Sequence, residues 1–110
     1  MNKITIIGNL THDPDLRTTQ SGIAVCSFSV AVNRRRKVEG QPEADYFRVT
    51  VWRAVAESCA KYLAKGRKVA VVGAVSIHHY VGSNGETKSN LEIEADEVEF
   101  LSSSNGSPER

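Results

Sequence analysis

Residues 24–33 read AVCSFSVAVN, a run in which apolar and small polar side chains take turns. Side chains alternate across a strand, so Ala24, Cys26, Phe28, Val30 and Val32 share one side, and Val25, Ser27, Ser29, Ala31 and Asn33 the other. The same period returns in YFRVTVW, residues 46–52. There Phe47, Val49 and Val51 suit a core, while Tyr46, Arg48, Thr50 and Trp52 fall on the opposite side. A chain with two such runs is committed to a sheet, and the second strand turns two aromatics and an arginine toward water.

The remaining segments fit around that sheet. KITIIGNL is a first strand, closed by the turn residues of THDPD. RAVAESCAKYLAKG changes period: Val55, Cys59, Tyr62 and Leu63 recur at helical spacing, and Gly66 suits the left-handed position after a helix. KVAVVGAVSIHHYV alternates again, with Val69, Val71, Val75 and Ile77 on one face and Gly73 as a bend point. GSNGE is a hairpin signal, and SNLEIEADEVEFL follows with Leu91, Ile93 and Ala95 inward. The extra residue before Val98 and Phe100 marks a bulge near Asp96. The expected order is β-β-β-α-β-β, that of the OB-fold, a five-stranded Greek-key barrel; a split sheet with a packed helix has the same order. The domain covers residues 1–101, and SSSNGSPER, lacking an apolar face, reads as a disordered polar tail over 102–110.

At 110 residues the chain supports one core. Its formal charge of +1 leaves any affinity for a polyanion to the arrangement of charges. No apolar run is long enough to cross a membrane, and MNKITIIGNL lacks the pattern of a signal peptide, so a cytoplasmic protein is expected. Cys26 and Cys59 stand apart from any C-x-x-C pair or Cys/His cluster and read as reduced, space-filling side chains. His78 and His79 are adjacent on a strand and point to opposite faces, which argues against a shared metal; no metal or cofactor is expected.

Tyr46, Arg48 and Trp52 share their parity with His78 and Tyr80 on the next long strand, opposite the core-forming sets. Flat aromatic platforms beside cations suit unpaired bases and their phosphates. The same rings could instead close the barrel ends or meet another subunit. Arg34, Arg35, Arg36 and Lys37 form a basic run in the loop leading to the aromatic strand, either as a charged rim of that surface or as a solvated loop. Glu92, Glu94, Asp96, Glu97 and Glu99 make the last strand acidic, and it reads as a side that repels phosphate.

Taken in order, MNKITIIGNLTHDPDLR, AVCSFSVAVNR, ADYFRVTVWRAVAESCAKYLAKG, VVGAVSIHHY and EIEADEVEFL resemble the bacterial single-stranded DNA-binding protein family over residues 1 to about 101. The resemblance implies an OB-fold homotetramer that wraps single-stranded DNA without strong sequence preference in replication, recombination and repair, with no catalysis. It implies stacking by Tyr46, Trp52 and Tyr80, and places Arg36 where the family carries a fourth aromatic. A guanidinium can stack and attract phosphate at once. Lys3, Arg17, Arg53 and Lys65 match positions that are often basic, while the first strand, with Ile4 and Ile6, and Phe47 match subunit contacts. Ser76, His78 and His79 stand where arginines are common, and a His78 facing DNA would tighten binding when protonated. The chain stops at SPER without an acidic tip ending in Pro-Phe, so recruitment of partner proteins through such a tip is not expected.

Two other readings have different requirements. A metal-dependent nuclease needs convergent carboxylates; Asp13 and Asp15 flank Pro14 in a turn, and most other acids lie in the loop after the second strand or on the acidic last strand, expected away from the aromatic face. An OB-fold adaptor of primosome type, or an RNA-binding module, would differ in its preference among duplex, RNA and unpaired DNA.

Overall fold

The computed structural model describes residues 1–102. Its elements are β1 (Ile4–Leu10), β2 (Asp15–Thr18), β3 (Ala24–Asn33), β4 (Ala44–Trp52), α1 (Arg53–Tyr62), β5 (Lys68–Val81) and β6 (Thr87–Ser102). Ser102 pairs with Lys68 at the end of β6 rather than opening a tail. The tail expected beyond it lies outside the described residues.

The strands pair in the order β1-β5-β6-β4-β3-β2, and a short β1–β3 contact, Asn9 opposite Ala31 and Leu10 opposite Val30, brings five of them into a circuit. All pairs are antiparallel except β4 with β6. This is the OB-fold, with its circuit completed by only two residue pairs. The five expected strands are present. The sixth, β2, was not expected, because all four of its side chains are exposed and leave no alternation in the sequence. It follows the bend at Thr11 and His12 and runs along the same edge of β3 that β1 occupies further on.

Alternating side chains of the strands meet inside. Ile6, Leu10, Cys26, Phe28, Val30, Val49, Val51, Val69, Val71 and Ile93 are buried, with Ala56, Cys59 and Leu63 from the helical segment against them. Each large side chain so buried stabilises by about 1.5–3 kcal/mol. The helix buries a different stripe from the one its spacing predicted: Val55 and Tyr62 are exposed, and Ala56 takes the place of Val55. It also ends sooner. Gly66, at φ 89°, is no cap but sits in the turn Ala64–Arg67, where its N–H donates to the Leu10 carbonyl at 2.9 Å.

The bulge falls where expected. Val72 faces Glu97 and Gly73 faces Ala95, so Asp96 is the extra residue. A Cβ on Gly73 would collide with the Glu94 carbonyl oxygen and lie 2.6 Å from the Ala95 Cα, so the bulge needs a glycine opposite it. Beyond Ser76 the β5–β6 hairpin leaves the barrel. Ile77 has core parity and is nevertheless 58% exposed, because among the described residues nothing packs beneath the hairpin arms there. The loop Ser83–Gly85 closes with the Gly82 N–H donating to the Glu86 carbonyl at 2.8 Å and Gly85 at φ 84°.

Candidate nucleic-acid interface

The alternation of β4 puts Tyr46, Arg48, Thr50 and Trp52 on the outside of the barrel, over Val49 and Val51, which are fully buried. Tyr46 is 62% exposed and Trp52 40%. Six residue steps along the strand separate them by about 20 Å, a span that several unstacked bases can follow. Pairing with β3 sets Ala31 beside Tyr46, Ser29 beside Arg48, Ser27 beside Thr50 and Val25 beside Trp52. Arg48 leans to that side, its Nη2 donating to Ser27 Oγ at 3.5 Å. Arg17 on β2 faces Val25, completing a row Arg17–Val25–Trp52. An open cleft of about 500 Å³ lies along it, lined by Asp15, Arg17, Ser27, Arg48, Thr50 and Trp52 among others.

Tyr80 and His78 stand on the same outer parity of β5, on the projecting hairpin. Their rings stack at 6.2 Å between centroids with 17° between planes, and Tyr80 is 39% exposed. His78 faces Asn90 and Tyr80 faces Lys88. Clefts lined by Asn90 and Leu91 also reach Tyr46, so β6 links the hairpin to β4 on this side.

The cations do not form one free cluster. Arg34 grips Asp45 with Nη2 at 2.8 Å from Oδ1 and Nε within 3.3 Å of both oxygens, and its N–H donates to the Glu43 carbonyl. The hydrogen bond from Arg34 holds the Asp45 carboxyl below its ordinary range, and Asp45 in turn raises Arg34. Lys37 Nζ lies 3.5 Å from Glu43, and Arg17 Nε 2.8 Å from Asp15. Arg35, Arg36, Arg48, Arg53 and Lys3 have no ion pair among the described residues. Lys3 lies beside Ala74 on the β1 edge, because Asn2 bonds Val75 and Ile4 pairs with Gly73. Lys65 sits apart on the turn after α1, its N–H donating to Asp13 Oδ1 at 2.8 Å. Arg53 opens α1 directly after Trp52 with φ 61°.

Two expectations need correction. The acids of β6 are not all on a separate side: the parallel pairing sets Glu92 beside Arg48 and Glu94 beside Thr50, on the outer face that carries Trp52. Parity within β6 could not reveal which strand it would join. Ile6 lies in the barrel core, so its side chain cannot meet another subunit; Ile4 and Phe47 remain partly buried at its margin. Sequence reasoning also missed Ser27 and Ser29 as companions of Arg48 and Trp52, since only the β3–β4 register aligns them with the face that Thr50 shares. Among the described residues no group of three or more His, Cys, Asp or Glu is placed to hold a metal ion, and no helix is long and apolar enough to cross a membrane.

The model of the single-strand binding protein family matches residues 1–101. The chain belongs to that family. It is 46% identical over 102 residues to single-stranded DNA-binding protein 3 of Clostridium acetobutylicum, covering 92% of this chain and 71% of that protein. It is 41% identical over 102 residues to the single-stranded DNA-binding protein of Oceanobacillus iheyensis, covering 92% of this chain and 63% of the relative. The fold is that of the small single-stranded DNA-binding protein from Streptomyces coelicolor, at a TM-score of 0.79 and 24% identity, over 90% of this chain and 93% of that one.

Proposed function

We propose that this member of the family binds single-stranded DNA without strong sequence requirement, in replication, recombination and repair, by stacking bases on Tyr46, Trp52 and Tyr80 and drawing the backbone to Arg35, Arg36, Arg48 and Arg53. The observation that carries the reading is the outer face of β4, where two exposed aromatics flank an arginine over a buried valine floor. Stacking accepts any base, and each platform contributes about 1–3 kcal/mol. Arg36 serves the backbone and stacks on a base when one reaches the loop; Lys37 and Arg34 hold the loop through their acidic partners. Lys3, Arg17 and His78 flank the track, and Lys65 makes at most a peripheral contact.

The chain acts as a binder and not an enzyme, in the cytoplasm on exposed DNA, as a homotetramer with Ile4 and Phe47 near its contacts. Titration with an oligonucleotide while following the fluorescence of Trp52, the one tryptophan, tests the reading. Strong quenching by unpaired DNA and little by duplex is the expected result; preference for duplex or for RNA would favour the adaptor or RNA-binding reading. Cleavage of the oligonucleotide on adding magnesium would restore a nuclease. Sedimentation of the free protein reports the assembly, and four copies are expected.

A further inference from the structure

The outer face of β4 is chemically split. On its β3 flank stand the hydroxyls of Ser27 and Ser29, with Arg48 leaning toward them. On its β6 flank stand Glu92 and Glu94. Arg48 lies directly beside Glu92 in the pairing and still makes no ion pair with it; neither glutamate has a cation or hydrogen-bond partner among the described residues. On β2, further out, Arg17 and Asp15 neutralise each other. Between Trp52 and the glutamates lies an open cleft of about 260 Å³ lined by Thr50, Trp52, Ser76, Glu92, Ile93 and Glu94.

Stacking on a tryptophan fixes the plane of a base and leaves its direction in that plane free. Here the flanks fix it. The three strands β3, β4 and β6 span about 10 Å, comparable to the reach from a nucleotide's phosphate to the edge of its base. Phosphate is drawn to Arg48 and the serines and repelled from Glu92 and Glu94, so the base edge turns toward the carboxylates.

We infer that the cleft beside Trp52 is a base-edge subsite in which Glu92 and Glu94 favour bases carrying an exocyclic amino group, cytosine above thymine. An ionised carboxylate only accepts hydrogen bonds. Cytosine offers it the N4 amino group, a recognised pairing with glutamate. Thymine presents two carbonyl oxygens on the same edge, one on each side of its single N–H, and these face the negative charge. Adenine and guanine share the amino group and belong to the favoured class. The inference rests on the proposed binding of single-stranded DNA and adds a selectivity to it.

The test compares oligodeoxycytidylate with oligodeoxythymidylate of equal length, at one salt concentration and neutral pH, by Trp52 fluorescence. The same pair is measured on the variant Glu92→Gln/Glu94→Gln, whose amides both donate and accept. The expected result is that the ratio of the two affinities shifts toward thymidylate by about three- to tenfold in the variant, less than or equal to one well-formed base contact. A variant that binds both oligonucleotides more tightly by the same factor would overturn the inference, since the glutamates would then act as bare charge. An unchanged pair of affinities would overturn it too. Failure of the unaltered protein to bind either oligonucleotide would instead sink the proposed function on which it rests.

Discussion

Trp52 and Arg53 hold two jobs at one corner. Trp52 is extended, at φ −128° and ψ 155°, and provides no side-chain cap for the helix that starts after it. Arg53 then takes φ 61°, the left-handed region, so that the chain passes from strand to helix without a loop. That conformation costs a side-chain-bearing residue about 1–2 kcal/mol. Arg53→Gly removes the clash and adds disorder to the unfolded chain; a net gain of about 0.5–1 kcal/mol in urea unfolding is expected. Trp52→Ala should leave stability nearly unchanged, as its ring is partly in water, and weaken oligonucleotide binding by about 1–3 kcal/mol. Buried thiols make a separate prediction. Burial, with Cys26 nearby, pushes Cys59 from 9.0 up to about 12. The unfolded chain therefore loses this proton first as pH rises. Stability is unaffected below about pH 9 and falls above it, by at most about 1.4 kcal/mol per pH unit from this group. Cys59→Ala should flatten that alkaline decline in urea titrations at successive pH values, and an identical decline in the variant would refute the assignment.

At the scale of elements, the bulge on β6 decides which side chains face the core. One residue of slip would turn every side chain on that strand to the other face, and Asp96 supplies it, so that both Ile93 and Val98 point inward. Gly73→Ala drives a Cβ into backbone atoms of Glu94 and Ala95, which cannot swing aside as a side chain would. A loss of about 1–3 kcal/mol is expected, read as a lower urea midpoint. This bulge was legible in the sequence because it interrupts an alternation, and the aromatic face of β4 was legible because it obeys one. β2 was not, having no buried side to alternate with. Nor was the exposure of Ile77, whose parity is right on a hairpin that has left the barrel. The glutamate flank needed knowledge of a partner: alternation tells which residues of β6 share a face, and only the parallel register with β4 tells what lies beside them. Ile6 is a different case, since its alternation marks an inward side chain and only the family resemblance set it at a subunit contact.

Across the whole molecule, a formal charge of +1 cannot draw in a polyanion, so the salt response of binding depends on which cations remain unpaired. Four consecutive cations in the β3–β4 loop look like one electrostatic unit, and the ion pairs divide them. Arg34 is tied to Asp45 through three contacts and Lys37 lies against Glu43, while Arg35 and Arg36 are exposed without an acidic partner among the described residues. Releasing a condensed counterion requires a cation that can approach phosphate, and each phosphate neutralised on a single strand contributes about −0.7 to the slope of log K against log salt. Arg35→Ala/Arg36→Ala should therefore make the slope shallower by about 1.4 and weaken binding most at low salt. Arg34→Ala should do something different. Removing it leaves Asp45 unpaired beside Tyr46, so binding weakens through an added negative charge and a loosened loop. Acid should act on the same contact. Because Arg34 holds the Asp45 carboxyl below its ordinary value, the pair persists above the normal carboxylate pKa and is lost as pH falls through the lowered one. The gap in affinity between the unaltered protein and Arg34→Ala should then persist at acid pH, since protonating Asp45 frees the Arg34 guanidinium for phosphate while the variant has none. The distinguishing measurement is affinity against salt for both variants; equal changes in slope would mean that Arg34 leaves Asp45 for phosphate when DNA arrives, and that the run acts as one charge after all.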